Sequence, residues 1–180
     1  MTIQTSPSAP LVGPNSEFRR LFRRVQHSAL HLGSRATYAQ ARTFYDRWVN
    51  GDGPDPEAEA AGESWLTDLR AVAGQALVHR IRAVSVPLTG FWRYQYDTVQ
   101  PNLDAGEKVS WIDRRDLIDL RLPTVDYWLL DNNLVAVLQH DDDGLLHTVD
   151  FLTDAEIVRM YATAFEAVAA RAIPHSEFRA

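Results

Sequence analysis

The sequence contains no cysteine. This absence excludes disulfide bonds, thiolate nucleophiles and cysteine-ligated zinc or iron–sulfur centres. Lysine is almost absent too, because Lys108 is the one lysine among 18 basic side chains and the others are arginines. No apolar run approaches the roughly 20 residues that cross a bilayer, and the Ser/Pro-rich residues 1–15 lack the apolar stretch of a signal peptide. These absences predict a cytoplasmic protein that does not enter a membrane.

The formal net charge of -6 hides an uneven distribution along the chain. Residues 1–50 carry seven arginines against two acids, Glu17 and Asp46, a balance of +5, which leaves 11 basic and 22 acidic side chains, or -11, in the remainder. Opposite fields of this kind steer two molecules together or hold two parts of one molecule together. The basic segment therefore either contacts a partner or packs on the acidic body.

A chain of 180 residues, 46% of them hydrophobic, is long enough to bury one core. The pattern predicts an α+β fold, in which N-terminal helices and a long C-terminal helix surround an antiparallel sheet of about five to six strands. A disordered tail over 1–15 precedes a single domain over 16–180. Within that domain we expect a basic helical part over 16–50, a mostly antiparallel sheet over 77–151 and a final helix over 153–172.

Capping residues and apolar spacing locate the helices. Ser16 is a good N-cap for a first helix that runs to Gly33, and a second helix is predicted over 34–49. The acidic, alanine-rich segment that follows starts a helix ending at Gly74. A short helix over 114–120 and the final helix, which begins with a capping box at Thr153, complete the set.

Alternating apolar residues and turn residues locate the strands. The predicted strands cover residues 77–86, 91–99, 108–112, 125–130, 134–140 and 145–151. Residues 139–144, with Asp150 further on, faintly echo a calcium-binding loop. The flanking segments are strands, however, and the first position is glutamine. A plain hairpin turn is therefore the favoured interpretation.

The basic N-terminal segment is a candidate partner-binding surface. On the predicted first helix, one stripe and its flanks would carry Arg19, Arg20, Arg23, Arg24, His27 and His31. Such a stripe suits phosphates or an acidic protein. The sequence pI of about 5.4 argues against direct nucleic-acid binding and favours a protein partner or a solvated helix face. His27 and His31 also have the spacing of two metal ligands, but the HExxH acid is missing, so no metal site is predicted.

The strand segments hold the residues most typical of a ligand pocket. Arginines grip carboxylates or phosphates, aromatic rings line apolar cavities, and a partly buried acid can act as a general base. The ligand-binding candidates are Arg80, Arg82, Arg93, Trp92, Tyr94, Tyr96, Trp111 and Trp128, and the catalytic candidates are Glu107 and Asp126. The alternative is an ordinary sheet with one face on the core and the other covered by ion pairs. We find no G-x-S-x-G, glycine-rich phosphate loop or dinucleotide fingerprint, so no catalytic class and no cofactor is predicted.

Three segments resemble an actinobacterial family of uncharacterised proteins. Residues 78–89 resemble its "RVRVVSxPLS" strand, Ala105-Gly106-Glu107 its "AGE" loop, and residues 126–131 its "DFWLFDD" strand. The likeness extends from about Phe18 to the last helix. The resemblance implies a gene beside helix-turn-helix regulators of Streptomyces-type organisms.

One motif departs from that family pattern. Relatives tend to read "HLExRDxY" after the first helix, whereas this chain has Gly33 and Ala36 in place of the two acids. An activity that depends on those acids would be absent or altered in this chain.

Together these observations lead to two hypotheses. The first is an accessory or regulatory protein that acts by protein–protein interaction, with a helix-turn-helix transcriptional regulator as its expected partner. The alternative is a small-molecule-binding protein or a cofactor-independent enzyme of a specialised biosynthetic pathway, which would use the arginine, acid and aromatic residues of the sheet.

Overall fold

The computed structural model describes residues 13–53 and 56–180. The helices are α1 (Glu17–Phe22), α2 (Arg42–Asn50), α3 (Pro56–Ala73), α4 (Gly90–Asp97), α5 (Gln100–Asp104) and α6 (Ala155–Ala169), with short 3-10 turns at Ala39–Ala41 and Arg114–Leu117. The strands are β1 (Ser28–Gly33), β2 (Leu77–Val84), β3 (Lys108–Asp113), β4 (Asp126–Leu130), β5 (Leu134–His140), β6 (Leu146–Leu152) and β7 (Ile173–Pro174). The predicted α+β class is confirmed.

The strands form one sheet in the order β6-β5-β4-β1-β2-β3-β7. The predicted β4–β5–β6 meander is present, and its turns use Asp131, Asn132 and Gly144 at positive φ. The sheet differs from the prediction in having seven strands and in being mixed, because β1, β2 and β3 run parallel to one another. Parallel neighbours need long crossovers, and α3 supplies the first of them while α4 and α5 supply the second.

The N-terminal segment departs most from the sequence-based expectation. Ser16 caps the first helix as predicted, since its Oγ accepts from the Arg19 amide at 3.2 Å, but this helix ends at Phe22 rather than at Gly33. The next residues form β1, which lies inside the sheet between β4 and β2. Hydrogen bonding to strands on both sides outweighs the helical spacing of the apolar residues. A helical part over 16–50 is therefore wrong.

The second departure is α4, which occupies the segment predicted as a strand over 91–99. Aromatic-rich runs favour strands by propensity alone. Here Thr89 is extended and Gly90 turns the chain at φ 53, so that a helix begins at once. Phe91 and Tyr94, three residues apart, then contact each other with ring centroids separated by 5.8 Å.

The remaining helices agree more closely with prediction. The helix ending near Gly74 is α3, and the second predicted helix is reduced to α2 and the 3-10 turn before it. The predicted helix over 114–120 is the second 3-10 turn, capped by Asp113. The final helix begins at Ala155, where Asp154 is the N-cap instead of Thr153.

The two faces of the sheet pack against different partners. On one face, Leu32, Ile81, Tyr127 and Leu129 form an apolar core with Val158, Tyr161 and Phe165 of α6. On the other face lie α1, α3 and α4, and there the packing leaves a cavity.

Candidate ligand-binding site

The floor of the cavity is built by the register of three adjacent strands. His31 of β1 pairs with Trp128 of β4 on one side and with Arg80 of β2 on the other. Two residues further along, Gly33 lies beside Arg82. Because alternate residues of a strand share a face, these five residues form one continuous surface.

Gly33 lies close to the side chains of His31 and Tyr38, which fill the space next to it. A Cβ atom at this position would lie 2.8 Å from His31 Cε1 and 3.0 Å from the Tyr38 hydroxyl oxygen. A side chain would therefore displace both neighbours. Gly33 lines the cavity, whereas Ala36 is exposed.

The cavity has a volume of about 780 Å³, within the usual range for small-molecule sites. Its walls come from α1, α3, α4 and the segment around Tyr38. Six aromatic side chains line it: Phe18, Tyr38, Trp65, Phe91, Trp92 and Trp128. The lining is apolar over most of its area and polar at a few defined points, as binding sites for organic molecules are.

Arg80 is neutralised within the protein. Its Nε and Nη2 atoms lie 2.9 and 2.8 Å from Glu107 Oε1. The other carboxylate oxygen of Glu107 accepts from Asn102 Nδ2 at 2.7 Å. The guanidinium also lies 5.1 Å from the centre of the Trp128 ring. Arg80 therefore contributes shape and donors to the cavity but little net charge.

Arg82 differs, because no ion pair joins it to any acid in the part of the chain that the structure describes. Its guanidinium lies 5.4 Å from the Trp111 ring centre and 5.9 Å from that of Trp92, and it donates a hydrogen bond to Gln95 Oε1. The Nε atom of Arg82 is buried and has no hydrogen-bond partner among the described residues. Burial and the neighbouring Arg80 charge lower the pKa of Arg82 to about 10. The side chain thus remains a cation at neutral pH, without a countercharge.

His31 is the second polar group with an unused atom. The residue is 6% exposed, its ring lies 4.7 Å from that of Trp128, and its Nδ1 has no partner among the described residues. Burial, then the charges of Arg80 and Arg82, lower the pKa of His31 well below 6.5. His31 is therefore a neutral imidazole that faces the cavity at neutral pH.

Both predicted catalytic acids are engaged by protein groups. Asp126 accepts from the Ser34 amide at 2.8 Å and from the Tyr38 hydroxyl, and burial and Asp126 raise the pKa of Tyr38 well above 10. Glu107 is held by Arg80 and Asn102 as described above. Neither carboxylate lines the cavity. The geometry gives both acids positioning roles and places neither where it could take a proton from a ligand.

The far end of the cavity contains Arg19. This side chain is 4% exposed and pairs with Asp68 at 2.6 Å, and its guanidinium lies 5.2 Å from the Trp65 ring centre. No acidic residue lines the cavity within the described part of the chain.

The structure brings together four of the eight predicted ligand-binding residues. Arg80, Arg82, Trp92 and Trp128 line the cavity, and Trp111 lies fully buried against Arg82.

The other three do not line the cavity, although Trp92 and Gln95 of the same helix α4 do. Arg93 is exposed and pairs with Asp97, Tyr94 packs on Tyr45 and Trp48, and Tyr96 packs on Trp111, His175 and Phe178.

The predicted basic stripe does not exist, because the helix that would carry it ends at Phe22. Arg20 pairs with Glu17, and Arg23 pairs with Asp68 at 2.8 Å. Arg24 and His27 are exposed. Arg19 and His31 instead line the cavity. A role of the exposed members in partner binding stays a prediction.

Several lining residues were missed by sequence reasoning, among them Tyr38, Trp65, Gln95 and His140. They lie on four different elements or connections and share no sequence spacing. The alternation of Ala29, His31 and Gly33 was the available signal for the β1 part of the floor.

The described residues contain no group of three side chains suited to hold a metal ion. They also contain no helix long and apolar enough to cross a membrane. The hairpin interpretation of residues 139–144 is confirmed, since Asp141 Oδ1 accepts from the Leu145 amide at 2.9 Å and Gly144 has φ 81.

Among solved structures, the chain is similar to that of TrmBL2, an archaeal chromatin protein described as showing a novel mode of DNA binding. The TM-score is 0.48 and the sequence identity 7%, and the match covers 87% of this chain and 48% of that one. The chain thus spans about half the length of that protein. The expectation against direct nucleic-acid binding is contradicted by this neighbour and is withdrawn. A likeness of this size still assigns DNA binding to TrmBL2 and not to this chain.

No curated protein matches the sequence. The sequence profile of a family described as a domain of unknown function, DUF6879, matches residues 16–180. That range includes every strand of the sheet and all the cavity-lining residues that follow residue 15. The chain belongs to this family.

Proposed function

We propose that this chain binds a small amphipathic anion in the cavity. The observation that carries the proposal is the charge of the lining: Arg19, Arg80 and Arg82 face the cavity and no acid does within the described residues, although the whole chain has a formal net charge of -6. A cationic lining in an acidic protein favours an anionic ligand.

The aromatic walls support an apolar body for the ligand. Phe18, Trp65 and Trp128 contact one another, with ring centroids 5.8 Å apart for Phe18 and Trp128 and 5.9 Å apart for Trp65 and Trp128. They form an apolar surface that continues from the His31 side of the cavity to the Arg19 side. A ligand that covers this surface gains from apolar burial and from ring stacking.

Arg82 supports the anionic part. A half-buried cation without an ion-pair partner destabilises a folded protein, and its presence at the floor of a cavity is typical of a functional site. The anion of a ligand would supply the missing countercharge through charge-assisted hydrogen bonds.

The contacts of Glu107 and Asp126 support binding rather than acid–base catalysis, because protein donors already use both carboxylates. The accessory role beside a helix-turn-helix regulator, with its actinobacterial setting, stays a prediction. The basic residues expected to carry it are dispersed over two elements and their connection.

Titration with anilinonaphthalenesulfonate, a fluorescent amphipathic anion, tests the proposal. We expect a saturable enhancement with one site per chain and at least about tenfold weaker binding by Arg82→Gln, since one charge-assisted contact is worth about 1.5–3 kcal/mol. Arg93→Gln is the matched control, because this exposed arginine pairs with Asp97 outside the cavity.

A second variant tests the same cavity in case Arg82→Gln does not fold. Ala61→Trp adds a ring at the exposed rim of the cavity and removes no buried contact. It should weaken dye binding while leaving the circular dichroism spectrum unchanged. Unsaturable dye binding, or equal affinity in wild type, Arg82→Gln and Ala61→Trp, would refute the proposal.

A further inference from the structure

We infer that the ligand is a monocarboxylate, with its carboxylate between Arg82 and His31 and its apolar body along Trp128 towards Trp65. This inference rests on the proposed function and deepens it, because it names the charge, the class of acid and the orientation.

Among the arginines that line the cavity, one positive charge has no acid partner in the described residues. Arg80 is paired with Glu107 at 2.8 Å and Arg19 with Asp68 at 2.6 Å, a carboxylate that also pairs with the exposed Arg23, whereas Arg82 has no acid partner among the described residues. The histidines that line the cavity, His31 and His140, both have lowered pKa values through burial, so they add no positive charge at neutral pH. A monoanion therefore balances the site, and a phosphate monoester would bring a second, uncompensated charge into it.

The unused polar atoms match a group with two acceptor oxygens. Arg82 Nε and His31 Nδ1 are buried and have no partner in the described chain. The two residues lie on adjacent parallel strands, where His31 is beside Arg80 and Gly33 is beside Arg82. One carboxylate oxygen can accept from the guanidinium and the other from the imidazole N–H.

The aromatic contacts set the direction of the apolar body. The Trp128 ring contacts His31 at 4.7 Å on one side and Trp65 at 5.9 Å on the other. A planar body that begins at His31 can therefore lie along Trp128 and end near Trp65. At that end the Arg19 charge is already paired with Asp68, and its Nη2 donates to the Ser64 carbonyl.

Displacement of bound anilinonaphthalenesulfonate by four probes tests the inference. The probes are naphthylacetate, its neutral amide naphthylacetamide, naphthyl phosphate and acetate. We expect naphthylacetate to displace the dye at least about tenfold more effectively than the amide and more effectively than the phosphate ester. Acetate should be far weaker than naphthylacetate because it lacks the apolar body. Arg82→Gln should abolish the preference for the acid over the amide, while Arg93→Gln keeps it.

The outcomes separate the inference from the proposed function. If the dye binds in an Arg82-dependent manner but naphthyl phosphate or the amide competes as well as naphthylacetate, the monocarboxylate assignment is wrong and anion binding stands. If acetate competes as well as naphthylacetate, the assigned apolar body is wrong. If the dye itself shows no Arg82-dependent site, both proposals fail.

Discussion

The two faces of the sheet are formed by the same strands but have different roles. On the α6 face, Leu32, Ile81 and Leu129 pack with the helix in one apolar core. On the opposite face, the residues next to them in sequence include His31, Arg80 and Arg82, which surround a cavity of about 780 Å³. Alternation along a strand thus lets one sheet separate the packing that stabilises the fold from the groups that can meet a ligand.

The largest expected effect on stability comes from a substitution in the core on the α6 face. Leu129→Ala removes a fully buried side chain from the α6 core, and we expect the free energy of unfolding to fall by about 4 kcal/mol. Leu138→Ala is the matched change on the cavity face, where this leucine already borders open volume and loses fewer packing contacts. Urea denaturation of both variants measures the difference. Equal losses would show that the two faces are equally well packed.

Local patterns in the sequence predicted one strand of the cavity floor and the β4–β5–β6 meander. The alternation of residues 77–84 placed Arg80 and Arg82 on one side and Ile81 on the other, because this strand is long enough for its period to be clear. The meander was predicted for the same reason, with turn residues at both links. These features depend on local patterns that tertiary structure does not override.

The missing parts depend on contacts distant in sequence. β1 is six residues long and follows a helix whose apolar spacing continues into it, so its extended form comes from pairing with β2 and β4. Segment 91–99 has aromatic residues typical of a strand, yet Gly90 and the packing against Tyr45 and Trp48 make it helical. The absence of an acid beside Arg82 could not be predicted, because it is a property of the packed cavity.

A second comparison, between Arg80 and Arg82, predicts a smaller effect. Arg80→Met leaves Glu107 buried without its countercharge, so we expect a loss of about 3 kcal/mol in the free energy of unfolding. Arg82→Met removes an uncompensated cation and loses one hydrogen bond and two ring contacts. These terms oppose each other, and the net change should stay within about 1 kcal/mol.

Urea denaturation at neutral pH checks this second comparison. Arg93→Met is the control, since its ion pair with Asp97 is exposed and is worth less than about 1 kcal/mol. If Arg82→Met proved as destabilising as Arg80→Met, Arg82 would be a structural arginine and the division of roles between them would fail.

The smallest expected effect concerns His31 and acid pH. Burial and the charges of Arg80 and Arg82 lower the pKa of His31 in the folded protein, whereas the unfolded chain takes up a proton near pH 6.5. The unfolded state therefore binds more protons below pH 6.5, and stability falls as the pH drops through that value, by at most about 1.4 kcal/mol per pH unit for this group. His31→Gln should flatten the fall in the free energy of unfolding between pH 6.5 and 5.5, measured by urea denaturation. The exposed His27→Gln variant is the control. An unchanged slope in His31→Gln would show that the cavity face admits enough water to solvate a charged imidazole. The cavity face and the α6 face would then differ in hydration as well as in shape.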